Sequence, residues 1–300
     1  MGELQVYALR VIIGITTGAV YGLLALGFVV IFRASRVLNF AEAGIGAVGA
    51  YLLYHLMKGS GGGSGRYLVA FLLGLAAATV AGVLTERLAV RPLRRAPAIA
   101  PLIATVGVLL LIQSVIVVVF GGDLRTIPNP LARRPFAIGR VLGLDQVVVT
   151  SGGALTVALL VGLGTALVLV VSRTRWGLAV RALSEDQDSA RELGVRVDRV
   201  SMGAWALGSA VGAVASMLFA TTSLLTPVNL ALLQIKALVV AVFAGLSDLR
   251  LCMLGGPLLG VVEQLAGRTG VAGLDQSIGF FALVLVLLLR SRTLVAEARA

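Results

Sequence analysis

Arg173–Val200 reads RTRWGLAVRALSEDQDSARELGVRVDRV and lies between two apolar runs, Ser151–Ser172 and Ser201–Thr222. This island carries six arginines and five acids. Ala179, Leu183, Ala190, Leu193 and Val197 recur at the spacing of an amphipathic helix or helix pair. Each flanking run is long enough to cross a bilayer as a helix, which takes about 20 residues. Together they decide the fold: membrane-spanning helices joined here by a structured, charged loop. A chain that only anchors or conducts has little need of such a loop. One that receives force from a soluble partner does, so the island reads as a docking surface for a cytoplasmic motor.

Composition points the same way. Hydrophobic residues make up 58% of the chain, charged residues 13%, and the mean hydropathy is +1.01. A soluble core of this length needs far less apolar surface, so the solvent is lipid. A formal charge of +11 suggests nucleic acid when a protein is soluble. Here the arginines cluster between apolar runs, as the cytoplasmic flanks of membrane helices do, and lipid is the expected partner instead. Cys252 is the single cysteine and sits in an apolar segment, which leaves no disulfide framework or cysteine metal site. His55 is the single histidine, so no HExxH or histidine-rich metal cluster is present. Neither Lys58 nor Lys236 lies in a G-x-x-x-x-G-K-[ST] loop, and the chain is not expected to hydrolyse ATP. A membrane hydrolase would need paired carboxylates, and no intramembrane pair at i, i+3 or i, i+4 is present.

Six spans are clear: Val11–Phe32, Ala41–Met57, Leu68–Ala89, Ile99–Phe120, Ser151–Val171 and Ser201–Ser223. Three weaker ones follow at Leu230–Leu246, Cys252–Ala266 and Ile278–Leu289. The fold class is therefore an all-α polytopic membrane protein of about nine transmembrane helices, eight if a C-terminal segment is re-entrant. Residues 1–300 form one membrane domain that contains 173–200 as its cytoplasmic segment. Met1–Tyr7 reads as a short exposed tail, not a cleavable signal, because the first apolar run is too long and lacks a basic leader. If every span crosses, about sixteen basic residues fall on the side of Arg33, Arg87, Arg94 and the island, and about eight on the other. The richer side is cytoplasmic, which puts the N-terminus outside and the C-terminus inside. Treating Leu230–Ala266 as a re-entrant hairpin preserves that parity.

Polar residues at the span ends are the candidate site. Asn39, Phe40 and Glu42 open the second span. Asn39 either caps that helix, with Glu42 adding charge at its positive end, or both line a broken helix along a translocation path. Pro227–Asn229 repeats the arrangement, and Leu38-Asn39-Phe40-Ala41 is echoed by Val228-Asn229-Leu230-Ala231. Lys236 lies about two turns inside an apolar run, where an ammonium is costly unless paired or wet. It either snorkels to an interface or lines the path, with Glu263 as a candidate partner. Gly14, Gly18, Gly22 and Gly27 in the first span, and Gly203, Gly208 and Gly212 in the sixth, allow close helix contact. Gly255-Gly256-Pro257 is expected to interrupt or kink its helix.

Four ordered segments resemble the permease subunits of bacterial branched-chain amino acid ABC transporters. They are YGLLALGFVVIFRASRVLNFAEAGIGAVGAY (Tyr21–Tyr51), ERLAVRPLRRAPAIAPLIATVGVLLLIQ (Glu86–Gln113), RALSEDQDSARELGVRV within the island, and KALVVAVFAGLSDLRLCMLGGPLLGVVEQL (Lys236–Leu265). The chain departs from that pattern at Glu42, Ala43, Ser216, Ala244 and Leu249–Cys252. The resemblance implies an importer of the bacterial cytoplasmic membrane that takes up leucine, isoleucine and valine. It implies a second homologous permease subunit, two cytoplasmic ATPases that use ATP and Mg, and an external or periplasmic substrate-binding protein. This chain itself is then expected to bind no cofactor.

In that arrangement the island is the ATPase-coupling segment. Ala182, Leu183, Ala190 and Leu193 are expected to sit in a cleft of the ATPase, with Arg181, Asp186 and Glu192 fixing orientation. Either Gly194 ends the first helix of the segment with a left-handed cap, or Ser184 with Asp186–Asp188 instead begins a second helical piece. The substrate path is expected at Asn39, Phe40, Glu42, Asn229 and Lys236. A stand-alone channel or ion-coupled carrier is the competing class, as are amides, urea or other amino acids as cargo. An ion-coupled carrier would place more ionisable groups within its spans than Lys236, Glu42 and Glu263.

Overall fold

One long helix, α1 (Glu3–Ser35), runs through the middle of the molecule, and most of the other helices are arranged by how they touch it. The computed structural model describes residues 3–59, 63–97, 99–127, 135–136, 149–268, 273, 277–282, 284 and 288. After α1 come α2 (Glu42–Met57), α3 (Ser64–Thr85), α4 (Ile99–Phe120) and α5 (Ser151–Arg173). Two short helices, α6 (Arg175–Glu185) and α7 (Gln187–Glu192), lead to α8 (Val197–Thr222), α9 (Pro227–Phe243) and α10 (Leu249–Ala266). The α3 helix continues through a π turn, Glu86–Val90, and a 3-10 turn, Arg91–Leu93. Two two-residue strands, β1 (Pro135–Phe136) and β2 (Val149–Thr150), pair antiparallel, and residues 277–282 are helical.

Six helices are long and apolar enough to cross a membrane: Gln5–Ser35, Ser64–Leu93, Ile99–Phe120, Ser151–Arg173, Val197–Thr222 and Leu249–Ala266. The α9 helix has 17 residues and α2 has 16. At about 1.5 Å per residue, each falls somewhat short of the hydrocarbon thickness. The expected span Ile278–Leu289 lies partly outside the described residues, and Arg290, Arg292 and Arg299 lie wholly outside them. The outer surface is apolar, with Leu68, Leu72, Val80, Ile103, Leu111, Val118, Val161, Leu169 and Leu254 all exposed. Lipid is the medium that such a surface requires.

Close helix contact comes from the glycines that the sequence marked. A Cβ on Gly18 would stand 2.7 Å from the Cα of Pro257, and one on Gly14 2.8 Å from the Gly260 oxygen, so α1 and α10 touch backbone to backbone. Farther along α1, a Cβ on Gly27 would lie 2.6 Å from the Gly208 oxygen of α8. Between hydrocarbon-solvated helices no hydrophobic force drives association, and packing at this distance supplies the attraction instead. The expected break at Gly255-Gly256-Pro257 does not occur: α10 is continuous from Leu249 to Ala266 with Pro257 inside it. Pro257 removes one amide donor, yet Gly256 and Gly260 on the adjoining face hold that stretch of α10 against α1. Nor is the start of the chain a free tail from Glu3 onward. Glu3 is helical and pairs with Arg268 at 3.1 Å, and the Arg268 guanidinium lies 4.1 Å from the Tyr7 ring centroid.

Contacts between connections sort the described loops into two ends. At one end Arg33 donates to the Ser247 oxygen at 3.1 Å, and Arg94 pairs with Asp198. At the other, Arg125 donates to the Tyr54 hydroxyl at 2.8 Å, Leu225 pairs with Arg125, and Arg10 donates to the Gln264 oxygen at 2.9 Å. The α9 helix therefore leaves the second end near Leu225 and arrives at the first near Ser247, and α10 returns. Both run the depth of the bundle, as crossing helices do and a shallow re-entrant hairpin does not.

Candidate functional site

The link between α1 and α2 enters the bundle instead of passing over it. A Cβ on Gly27 would come within 2.9 Å of a Glu42 carboxylate oxygen, and Gly27 precedes the end of α1 by eight residues. That is about 12 Å of helix, so the non-helical backbone descends from the exposed Arg36 to Ala41 well inside. Backbone at such depth is tolerated only where protein groups satisfy it. Here Asn39 Oδ1 accepts from the Ala41 amide at 3.0 Å, and Thr105 Oγ1 accepts from the Phe40 amide at 3.2 Å. From α9, Gln234 accepts from the Ala43 amide at 2.5 Å and donates to the Asn39 oxygen at 2.8 Å. Asn39 thus fixes the turn, and the N-cap position falls to Ala41, which makes no side-chain cap. Asn39 Nδ2 also donates to Glu42 Oε2 at 2.5 Å. Glu42 and Asn39 are fully buried, and Phe40 is half-buried. Glu42 occupies a notch between Gly27 and Gly212, and its other oxygen has no hydrogen-bond partner among the described residues.

Asn229 and Lys236 lie elsewhere, on one cavity of about 240 Å³ that Tyr21, Phe219, Ser223, Leu232, Leu233 and Phe280 also line. The Lys236 ammonium forms an ion pair with Glu263 of α10 and donates to the Tyr21 hydroxyl at 3.1 Å. Tyr21 in turn donates to the second Glu263 oxygen at 2.9 Å, which closes a three-member cluster. Asn229 Nδ2 donates to the Leu224 oxygen at 2.9 Å, so both asparagines of the sequence echo bind the backbone of a helix break. The structure brings Asn39, Phe40 and Glu42 together, brings Asn229 and Lys236 together, and keeps the two groups apart except through Gln234 on α9.

Of the two expected forms, one amphipathic helix or a helix pair, the charged island folds as the pair. Thr174 caps α6 by accepting from the Gly177 amide at 3.0 Å, and a Cβ on Gly177 would come within 2.5 Å of the Val170 oxygen. Asp186 caps α7 by accepting from the Asp188 and Ser189 amides at 2.9 and 3.4 Å. The Ser189 hydroxyl, followed by those two amides, holds the Asp186 carboxyl below its ordinary range. Ser184 takes no part in this cap; its hydroxyl donates to the Arg181 oxygen. Gly194 has φ +84°, and the Val195 amide donates to the Ala190 oxygen at 3.0 Å, a left-handed cap that ends the second helix, α7, and not the first, which stops at Glu185 before the Asp186 cap. One expectation needs correction. Leu183 and Ala190, expected in a partner's cleft, are buried against this chain's own helices, at 0% and 2% exposure. They are the inward stripe of amphipathic α6 and α7. Leu178 and Leu193 are the outward apolar residues, at 62% and 84% exposure, with Arg181 and Glu192 also exposed and Ala182 intermediate.

Glu86 is a buried polar residue to which the sequence pattern assigns no role. Its carboxylate is fully buried at the π turn, pairs with Arg91 at 3.0 Å and with Arg94, and accepts from the Ser201 hydroxyl at 3.3 Å. Arg94 also pairs with Asp198, so the end of α3 is clamped to the start of α8, directly behind the island. Beside this clamp Arg91, Arg94, Arg95, Arg191, Arg196 and Arg199 line a cleft of about 690 Å³. The sequence pattern likewise assigns no role to Tyr21 and Gln234, although each is a polar group inside an apolar run.

Residues 10–289 match the sequence profile of the family described as "Branched-chain amino acid transport system / permease component". The high-affinity branched-chain amino acid transport system permease protein BraD of Pseudomonas aeruginosa is 30% identical over 298 residues, covering 97% of this chain and 96% of that protein. LivH of Escherichia coli K12, a permease protein of the same description, is 27% identical over 281 residues, covering 92% and 91%. A probable branched-chain amino acid transport permease protein of Methanocaldococcus jannaschii is 28% identical over 254 residues, covering 81% and 76%. A buried polar break between α1 and α2, a capped helix pair between α5 and α8, and a profile match over nearly the whole length lead to one conclusion: this multi-pass membrane protein belongs to the permease-component family of branched-chain amino acid transport systems.

Proposed function

We propose that this chain is the membrane-spanning permease subunit of an ATP-driven importer of leucine, isoleucine and valine. The observation that carries the reading is the family match over residues 10–289. In this reading residues 1–300 act as one permease unit in the cytoplasmic membrane. It pairs with a second homologous permease subunit, takes cargo from an external binding protein, and is driven by two cytoplasmic ATPases that hydrolyse ATP with Mg. The end rich in arginine faces the cytoplasm, so the N-terminus is outside and the C-terminus inside. The cavity at Asn229 and Lys236 then opens toward the outer half of the bundle and belongs to the substrate path. The buried break at Asn39, Phe40 and Glu42 braces that path through Gln234.

The island is the coupling lever. Leu183 and Ala190 anchor α6 and α7 to the bundle, while Leu193, Leu178 and Ala182 meet the ATPase and Arg181 and Glu192 orient it. Asp186 and Gly194 set the bend between and after the two helices. A force applied at Leu193 passes through the Asp198–Arg94–Glu86 clamp to α8 and α3. An exposed leucine that becomes buried in an interface contributes about 2 kcal/mol, which is about thirtyfold in affinity. Leu193→Asp is therefore expected to insert and fold normally but to lose co-purification with the ATPase and ATP-dependent uptake. Parental co-purification by that variant would remove the island from the coupling role.

A further inference from the structure

The cavity of about 240 Å³ has two kinds of lining that suit two parts of one molecule. Phe219, Leu232, Leu233, Ile235 and Phe280 provide an apolar wall, and Lys236 with Tyr21 forms a polar floor. Behind the floor stands Glu263, with its side chain 10% exposed against 21% for Lys236. A buried ion pair is a poor source of stability, since apolar residues of the same volume commonly do as well. Lys236 stands on the cavity wall with Glu263 paired directly behind it, which gives the pair another use. An α-amino acid carries one carboxylate and one ammonium on the same carbon, the complements of Lys236 and Glu263.

We propose that Lys236 and Glu263 are the residues that read the α-amino acid zwitterion inside the membrane. The Lys236 ammonium takes the α-carboxylate and the Glu263 carboxylate takes the α-ammonium. Tyr21 holds the two residues in position through the hydrogen bonds it now makes to both. The branched aliphatic side chain lies against Phe219, Leu232 and Ile235. Charge balances throughout: one internal ion pair is exchanged for two pairs with the ligand, and no net charge enters the bundle. An amine or an acid alone breaks the resident pair and leaves one of its members uncompensated, a large penalty in a low-dielectric site. The resident pair also competes with the ligand, which keeps binding weak enough for release. This inference rests on the importer reading above, and the test separates the two.

The test uses the purified complex carrying Ser223→Cys in a Cys252→Ala chain, with maleimide alkylation at position 223 as readout. Bound ligand slows alkylation by about 1 + [L]/Kd, or about tenfold at ten times Kd. Leucine is expected to protect, whereas 3-methylbutan-1-amine and 4-methylpentanoate, each lacking one charge, are not. Equal protection by all three, or by none, would overturn the proposal. Gly279→Leu supplies a second arm that leaves the ion pair in place. A Cβ there would lie 3.9 Å from Lys236 Cγ, so the added side chain fills the cavity. The expected result is a complex that assembles but shows neither leucine protection nor uptake; unchanged protection overturns the proposal. Leucine protection in a parental complex that moves no leucine would instead refute the importer reading alone.

Discussion

Gly18→Ala adds a single methyl group to α1, and its consequence is computable from geometry. The new Cβ would stand 2.7 Å from Pro257 Cα and closer still to the Gly256 carbonyl oxygen. Both are backbone atoms, so no side-chain rotation relieves the overlap. Carbon contacts settle at about 3.5–4.0 Å, and α1 and α10 must therefore separate locally by about 1 Å. A gap of that size forfeits about a quarter to a half of each pairwise attraction at the contact. Overpacking of this kind costs about 1–3 kcal/mol. Gly162→Ala is the control, because a Cβ there meets nothing within 4 Å. In an α5 helix the added methyl gains up to about 1 kcal/mol of helix propensity. The same propensity gain applies to Gly18 inside α1, so the two single-methyl variants should differ by the overpacking cost of about 1–3 kcal/mol, or at least about fivefold in the folded-to-unfolded ratio. Denaturant titration of the purified chain in detergent, followed by fluorescence of Trp176 and Trp205, measures this. Coincident unfolding curves for the two variants would refute the backbone contact between α1 and α10.

Three further outcomes are expected. Glu42→Gln preserves the contact with Asn39 and should keep uptake within about twofold of the parent, whereas Glu42→Ala leaves Asn39 Nδ2 unsatisfied at a cost of about 1–3 kcal/mol and should lower membrane abundance; lost uptake by a normally abundant Gln variant would show that the carboxylate charge itself is used. Glu86→Gln removes the charge shared by Arg91 and Arg94 and should lower the thermal midpoint of the detergent-solubilised chain by an amount corresponding to about 1–3 kcal/mol, since both arginines are partly exposed and Arg94 keeps Asp198; an unchanged midpoint would remove the clamp from the account. In a Cys252→Ala background, Ser64→Cys should react with an impermeant reagent on intact cells and Ser189→Cys only after disruption, and the reverse pattern would invert the topology.

Much of this architecture was legible from periodicity. Long apolar runs gave α3, α4, α5 and α8 to within four residues, because lipid demands apolar length and leaves little room for other readings, whereas α1 begins at Glu3, eight residues before its apolar run. The helix pair at 173–200 was legible from its caps: Asp186 and Gly194 act as their residue types predict. The direction of its apolar stripe was not. Ala182, Leu183, Ala190 and Leu193 look alike on a linear pattern, and only packing against α8 and α1 decides that Leu183 turns inward and Leu193 outward. Gly255-Gly256-Pro257 misled for a related reason, since helix-breaking residues are tolerated where a neighbouring backbone packs against them. The candidate site was half legible. Lys236 and Glu263 were paired by the cost of burying charge, but Tyr21 and Gln234 gain their roles from contacts across more than 190 residues of sequence, which no local pattern encodes.

The central claim is tested most directly by uptake of labelled leucine into proteoliposomes that contain the assembled permease with its ATPases and an external binding protein. The account predicts uptake that requires internal ATP, that stops with Leu193→Asp, and that is indifferent to proton or sodium gradients. Leucine uptake driven by an ion gradient in the absence of ATP would contradict it.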